Sequence, residues 1–264
     1  MSLAIGFYRL EIAASHLVEQ IQTAASKQRR VQLLNAKNEL QKLNKNLNTR
    51  LMQMTSTPDA NGLCSETPEK LTQIHTALST YSEVVQGRWT FTQKRLGQLQ
   101  TLPQGANMPW DPMEASLWID EPRARYDVWR TIAQATPQQT ETASALFVMG
   151  MLTRIEWQSA MALNSSLTQG QNSDAPRQHL LNAVKDTDLL LSNWPATSVQ
   201  SNTEMWKNLR AIANASPARN ASDIPQAAPQ QGWTAWIGGW LQNYSQVFMQ
   251  SISKVLTGLE DMNG

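Results

Sequence analysis

The chain has 264 residues, a formal net charge of +1, 41% hydrophobic and 16% charged residues, and one cysteine, Cys64. That length can hold one large core or two smaller ones. Near-neutrality gives no global pull toward nucleic acid or anionic lipid, and a lone cysteine excludes an intramolecular disulfide and a cysteine-rich zinc site.

The start, MSLAIGFYRLEIAASHL, does not read as a signal peptide, because Glu11 and His16 follow a very short apolar run with no basic region before it. A cytoplasmic location is the corresponding expectation. No run of apolar residues is long enough for a transmembrane helix.

Residues 3–56 read as one long helix. Leu3, Phe7, Leu10, Ala14, Leu17, Ile21 and Ala24 recur in steps of four and three, the heptad stripe of a coiled-coil-like seam. Val31, Leu34, Leu40, Leu43, Leu47, Leu51 and Met54 continue the apolar face with a phase shift. Pro58 and Gly62 then interrupt it, and Thr67-Pro68 opens a second helix carrying Leu71, Ile74, Leu78, Tyr81, Val85, Trp89, Leu96 and Leu99. The short connection predicts a long antiparallel helical hairpin over residues 1–101.

Residues 102–214 form a Trp-rich helical domain. Asp111-Pro112-Met113-Glu114 has the pattern of a capping box, and a helix restarts at Glu121-Pro122. Thr136-Pro137 resembles another helix start, with the helix ending near Gly170. Further helices are expected over residues 176–193 and 202–214. Residues 215–231 read as a Pro- and Ala-rich linker with little to bury. Residues 232–260 form an amphipathic C-terminal helix with three tryptophans in its first turns. No segment alternates with period two, so the fold class is all-α, an elongated helical bundle with a long N-terminal antiparallel hairpin.

The C-terminal helix carries the most specific candidate surface. Trp233, Trp236, Trp240, Tyr244 and Phe248 could dock into a protein partner or a second copy, since aromatic side chains bury much area at modest entropic cost. The simpler account is that this helix completes the protein's own core. A membrane-surface role is poorly matched, because its polar face, from Thr234 to Lys254, carries a single positive charge.

A second candidate is a ligand cleft for a peptide, glycan or small apolar molecule, lined by Trp110, Trp118, Tyr126 and Trp129. A third is the basic run Lys27, Arg29, Arg30, Lys37, Lys42 and Lys45, extended by Arg50, which reads as a solvated helix face. It lacks the aromatic platforms of single-strand binders and any recognition-helix motif, so no nucleic-acid partner is expected.

Enzymatic chemistry has one foothold, the carboxylates Asp111, Glu114, Asp120, Glu121 and Asp127. They are interleaved with Arg123 and Arg125, as on a solvated helix surface. His16, His75 and His179 have no metal-ligand spacing, and no phosphate-binding glycine loop occurs, so no metal or cofactor is expected. The residue pattern therefore favours a non-enzymatic scaffold, adaptor or assembly component.

Overall fold

The computed structural model describes residues 1–24, 27–56, 68–103, 106, 108–109, 111–169, 173–195, 203–216 and 219–263. Thr67, Cys64, Trp110 and Gly170 lie outside the described residues, as does the side chain of Lys27. Eight α-helices occur among the described residues: α1 (Ser2–Thr23), α2 (Lys27–Ser56), α3 (Pro68–Thr101), α4 (Pro112–Ala135), α5 (Glu141–Thr168), α6 (Ala175–Ser192), α7 (Glu204–Asn214) and α8 (Gly232–Asp261). A short 3-10 turn spans Ala221–Asp223. The chain is thus an all-α bundle. It divides into two compact units, Met1–Ala124 and Arg125–Gly264.

In the first unit, α1 and α2 form a closely packed antiparallel pair. Arg50 reaches Ser2 with a hydrogen bond of 3.2 Å, and Leu47 covers Gly6. The single long helix expected over residues 3–56 is therefore interrupted. Ala24 caps α1 in an extended conformation (φ −66°, ψ 117°). The phase shift of the apolar stripe after Ala24 is the sequence trace of this turn. The turn brings α2 back beside α1, where Ala4, Phe7, Leu10, Ala14 and Leu17 are buried. Each large side chain so buried contributes about 1.5–3 kcal/mol.

Helix α3 lies along both partners. It runs parallel to α1, with Phe7 edge-on to Tyr81 (6.3 Å between ring centres) and Thr92 Oγ1 donating to the Ala14 carbonyl at 3.0 Å. It runs antiparallel to α2, where Asn44 donates to Gln86 at 2.6 Å. Leu17, Ile21 and Leu96 close one end of this core, with Leu34, Leu40 and Leu99 packed against them.

Helix α4 runs unbroken through Pro122, where a restart was expected. Proline removes one backbone donor. Its neighbour Glu121 is pinned by Arg88 through bonds of 2.6 and 2.8 Å, which holds the helix in line across the proline. The cap of α5 is also displaced from the expected Thr136 to Thr140, whose hydroxyl accepts the Ala143 N–H at 3.1 Å.

The second unit is built on α5. Helix α6 packs along it, as do α7 and α8, and α7 packs in turn on α8. Helices α7 and α8 approach closely at Gly258. A methyl group there would stand 2.6 Å from Met205 Cβ. The Pro-rich segment before α8 is anchored by Ile224, which is buried despite the composition around it.

Candidate functional site

Helix α8 presents two faces. Trp233, Ile237, Tyr244, Ile252, Val255, Leu256 and Leu259 are buried in the unit's own core. Trp236, Trp240, Val247 and Phe248 are half-buried, and Ala235, Gly239, Gln242, Asn243, Gln246 and Gln250 are exposed. Trp236 stands edge-on to Trp233 and leans against Trp240, with ring centres 5.8 and 4.2 Å apart. Tyr244 stacks on Phe248 at 6.0 Å. The five aromatic residues singled out on this helix therefore divide: Trp233 and Tyr244 are core, while Trp236, Trp240 and Phe248 border solvent.

No Asp, Glu, Lys or Arg occurs from residue 224 to residue 253. The exposed positions of α8 up to residue 253 consequently carry glycine, alanine, serine and neutral amides, flanked by indole rings. Charge depletion with aromatic enrichment is the compositional mark of the centre of a protein interface. No helix among the described residues is long and apolar enough to cross a membrane.

The middle-domain residues are scattered. Trp118 is half-buried and Trp129 is fully buried. Tyr126, however, lines an open groove of about 500 Å³ between α4 and α5, with Arg130, Ala133, Phe147, Met151 and Pro195. The other described residues that line it are neutral, and none of them is tryptophan. Phe147 and Arg130 had no signal in the sequence beyond sharing helix faces with Tyr126 and Met151. Each is an ordinary surface residue until the two helices meet.

The carboxylate cluster has structural partners. Lys94 donates to Asp111 Oδ2 at 2.7 Å, and Asp111 Oδ1 accepts the Met113 N–H at 3.1 Å. The Lys94 bond, then the Met113 bond, hold the Asp111 carboxyl below its ordinary value. Asp111 is thus the helix cap its sequence suggests. Glu114 instead faces Arg95, 3.9 Å away, and Glu121 accepts the fork of Arg88. Burial pulls the Arg88 pKa down, but the bond and charge of Glu121, aided by Glu11 and Glu114, outweigh it and leave it raised. Tyr81 donates to Glu11 beside this pair. Asp120 and Asp127 are exposed.

The basic run of α2 does not form one stripe. At about 100° per residue, Lys42 and Lys45 turn outward while Arg30 and Lys37 flank the buried side. Lys42 is paired with Glu39 at 2.9 Å, Arg30 donates to the Ala24 carbonyl at 3.4 Å, and Arg29 is exposed.

In the second unit, Arg125 donates to Glu156 at 2.7 Å, and Arg154 faces the buried Asp186 at 2.9 Å. Burial raises the Asp186 pKa, and Arg154 offsets this only in part. His179 is held below its ordinary value by burial, its Nδ1 lying 3.2 Å from Gln158 Oε1. His16 instead pairs with Glu19 at 3.2 Å. Among the described residues, no group of three or more His, Cys, Asp or Glu side chains is placed to hold a metal ion.

Comparison with protein families, with curated proteins and with solved structures finds no match. The chain is an all-helical fold in which no known catalytic or cofactor-binding motif is recognised.

Proposed function

We propose that this protein is a non-enzymatic assembly component that acts through protein–protein contact, with the outer face of α8 as its contact surface and a second copy of the chain as the first occupant. The supporting observation is the coincidence of half-buried Trp236 and Trp240 with a 30-residue stretch, 224–253, that holds no charged side chain. A two-fold contact sets a surface against itself, so any charge on it meets its own sign. This face escapes that penalty. It also sets bulk beside space: Gly239 lies next to the contacting indoles of Trp236 and Trp240, and a Cβ there would meet nothing within 4 Å.

The patch is modest. Residues 232–253 cover about 33 Å by about 10 Å of helix surface, which places the contact in the transient class rather than the obligate one. Hydrogen exchange at low and high protein concentration tests this reading. Amides of residues 232–250 gain protection as concentration rises, with the rest of the chain unchanged. Identical exchange throughout α8 at both concentrations contradicts it.

A second reading, a binding protein for a small or peptide ligand, is favoured by the α4–α5 groove. Its chemistry is specific enough to name an occupant.

A further inference from the structure

We propose that the groove between α4 and α5 binds an amphipathic carboxylate, a molecule with an unbranched apolar body and one carboxylate head. Four observations carry this. The groove has a volume of about 500 Å³, within the range of small-molecule sites. Its wall on α4 is set by Tyr126, Arg130, Ala133 and Gln134, one face of the helix. From Tyr126 to Gln134 the helix rises about 12 Å, which matches a medium-length alkyl chain. The wall on α5 is Ala143, Ser144, Leu146, Phe147, Gly150 and Met151, apolar but for the Ser144 hydroxyl, and Phe147 stands 39% exposed there.

The fourth observation is electrostatic. Among the described residues that line the groove, Arg130 is the only charged one. Among the described residues it has no hydrogen-bond or ion-pair partner, and Asp127, three residues earlier on α4, is exposed and outside the lining. A guanidinium over an apolar floor supplies a planar donor fork for a carboxylate, while the floor accepts the chain. Gln134, Gln138 and Ser144 add neutral polar groups to the lining. Phosphate or sugar ligands are poorly served by such a site, since one cation and an aliphatic floor leave most of their polar atoms without partners.

Octanoate and its uncharged isostere octanamide are suitable probes, titrated into the full chain by calorimetry. Octanoate is expected to bind saturably with one site per chain. Arg130→Gln weakens octanoate tenfold or more and changes octanamide less than twofold. Phe147→Gln weakens both probes together. Arg130 is exposed, so its variant keeps the fold, which far-ultraviolet dichroism verifies. Non-saturable heats, or octanoate binding equally well to the Arg130→Gln variant, overturn the proposal. Binding of octanoate that survives Phe147→Gln unchanged overturns the assignment to this groove.

Discussion

Arg88 grips Glu121 with both nitrogens of its fork, Nε to Oε1 at 2.6 Å and Nη2 to Oε2 at 2.8 Å, and both side chains are buried. This pair ties α3 to α4 one residue before Pro122. Removing one partner strands the other charge in the core. Glu121→Ala is expected to cost about 3–5 kcal/mol of unfolding free energy. The apolar double variant Arg88→Met/Glu121→Leu recovers most of that loss, because neither buried charge remains. Urea denaturation of the three proteins measures both effects. A Glu121→Ala variant as stable as the parent would show that the pair contributes nothing.

Two glycines make opposite predictions. At Gly258 an added methyl would meet Met205 Cβ at 2.6 Å, and Cβ moves only with its backbone. Gly258→Ala should therefore force α7 away from α8 and cost about 1–3 kcal/mol. At Gly6 the nearest atom, at 2.5 Å, is a terminal methyl of Leu47, which can rotate aside. Gly6→Ala also gains up to about 1 kcal/mol of helix propensity, so it should be near neutral. Thermal melts of the two variants distinguish them, and equal melting temperatures would contradict the account.

Much of this fold was legible in the sequence, and its failures have physical causes. Strong periodicity identified α1, α3, α7 and α8, and Asp111 announced the start of α4. The break after Ala24 was missed because no glycine or proline marks it: the helix ends there for the benefit of tertiary burial, which local propensity does not encode. Pro122 was over-read for the converse reason, since Arg88, distant in sequence, anchors Glu121 immediately before it. Trp236 and Trp240 were visible as a surface feature of α8. The groove was not, because Arg130 and Phe147 belong to different helices and neither is unusual alone.

Asp186 is buried against Arg154, and its pKa is raised. A raised carboxyl contributes most to stability when protonated, below the unfolded pKa, and that contribution is lost as pH rises through the folded pKa. Asp186→Asn, which mimics the neutral form, should therefore be more stable than the parent at pH 7. Its advantage shrinks as pH falls through the raised folded pKa toward the ordinary carboxylate pKa of about 4, below which the parent's own carboxyl is already neutral. Denaturant midpoints across that interval check the sign. A variant less stable at pH 7 would show that Arg154 outweighs burial.

The Tyr244 hydroxyl is buried and has no hydrogen-bond partner among the described residues. Burial first, then the charge of Glu156, push its pKa up, with Arg125 a partial offset, so it stays protonated throughout the accessible range. Tyr244→Phe removes an unsatisfied polar group while keeping the ring stacked on Phe248. It should raise stability by about 1 kcal/mol or more, read from the denaturation midpoint. A loss of stability would reveal that the hydroxyl has a partner.

The central claim is that the uncharged outer face of α8 is a contact surface between copies of this chain. Absolute mass by light scattering, over a rising concentration series, tests it most directly when the chain is compared with Gly239→Glu. That substitution enters open space and improves helix propensity, so the fold survives, yet it places two like charges against each other across a two-fold contact. The account predicts a mass that climbs toward the dimer for the parent and stays at the monomer for the variant, with equal helicity in both. A parent that remains monomeric at every concentration, or a variant that associates as readily as the parent, would contradict it.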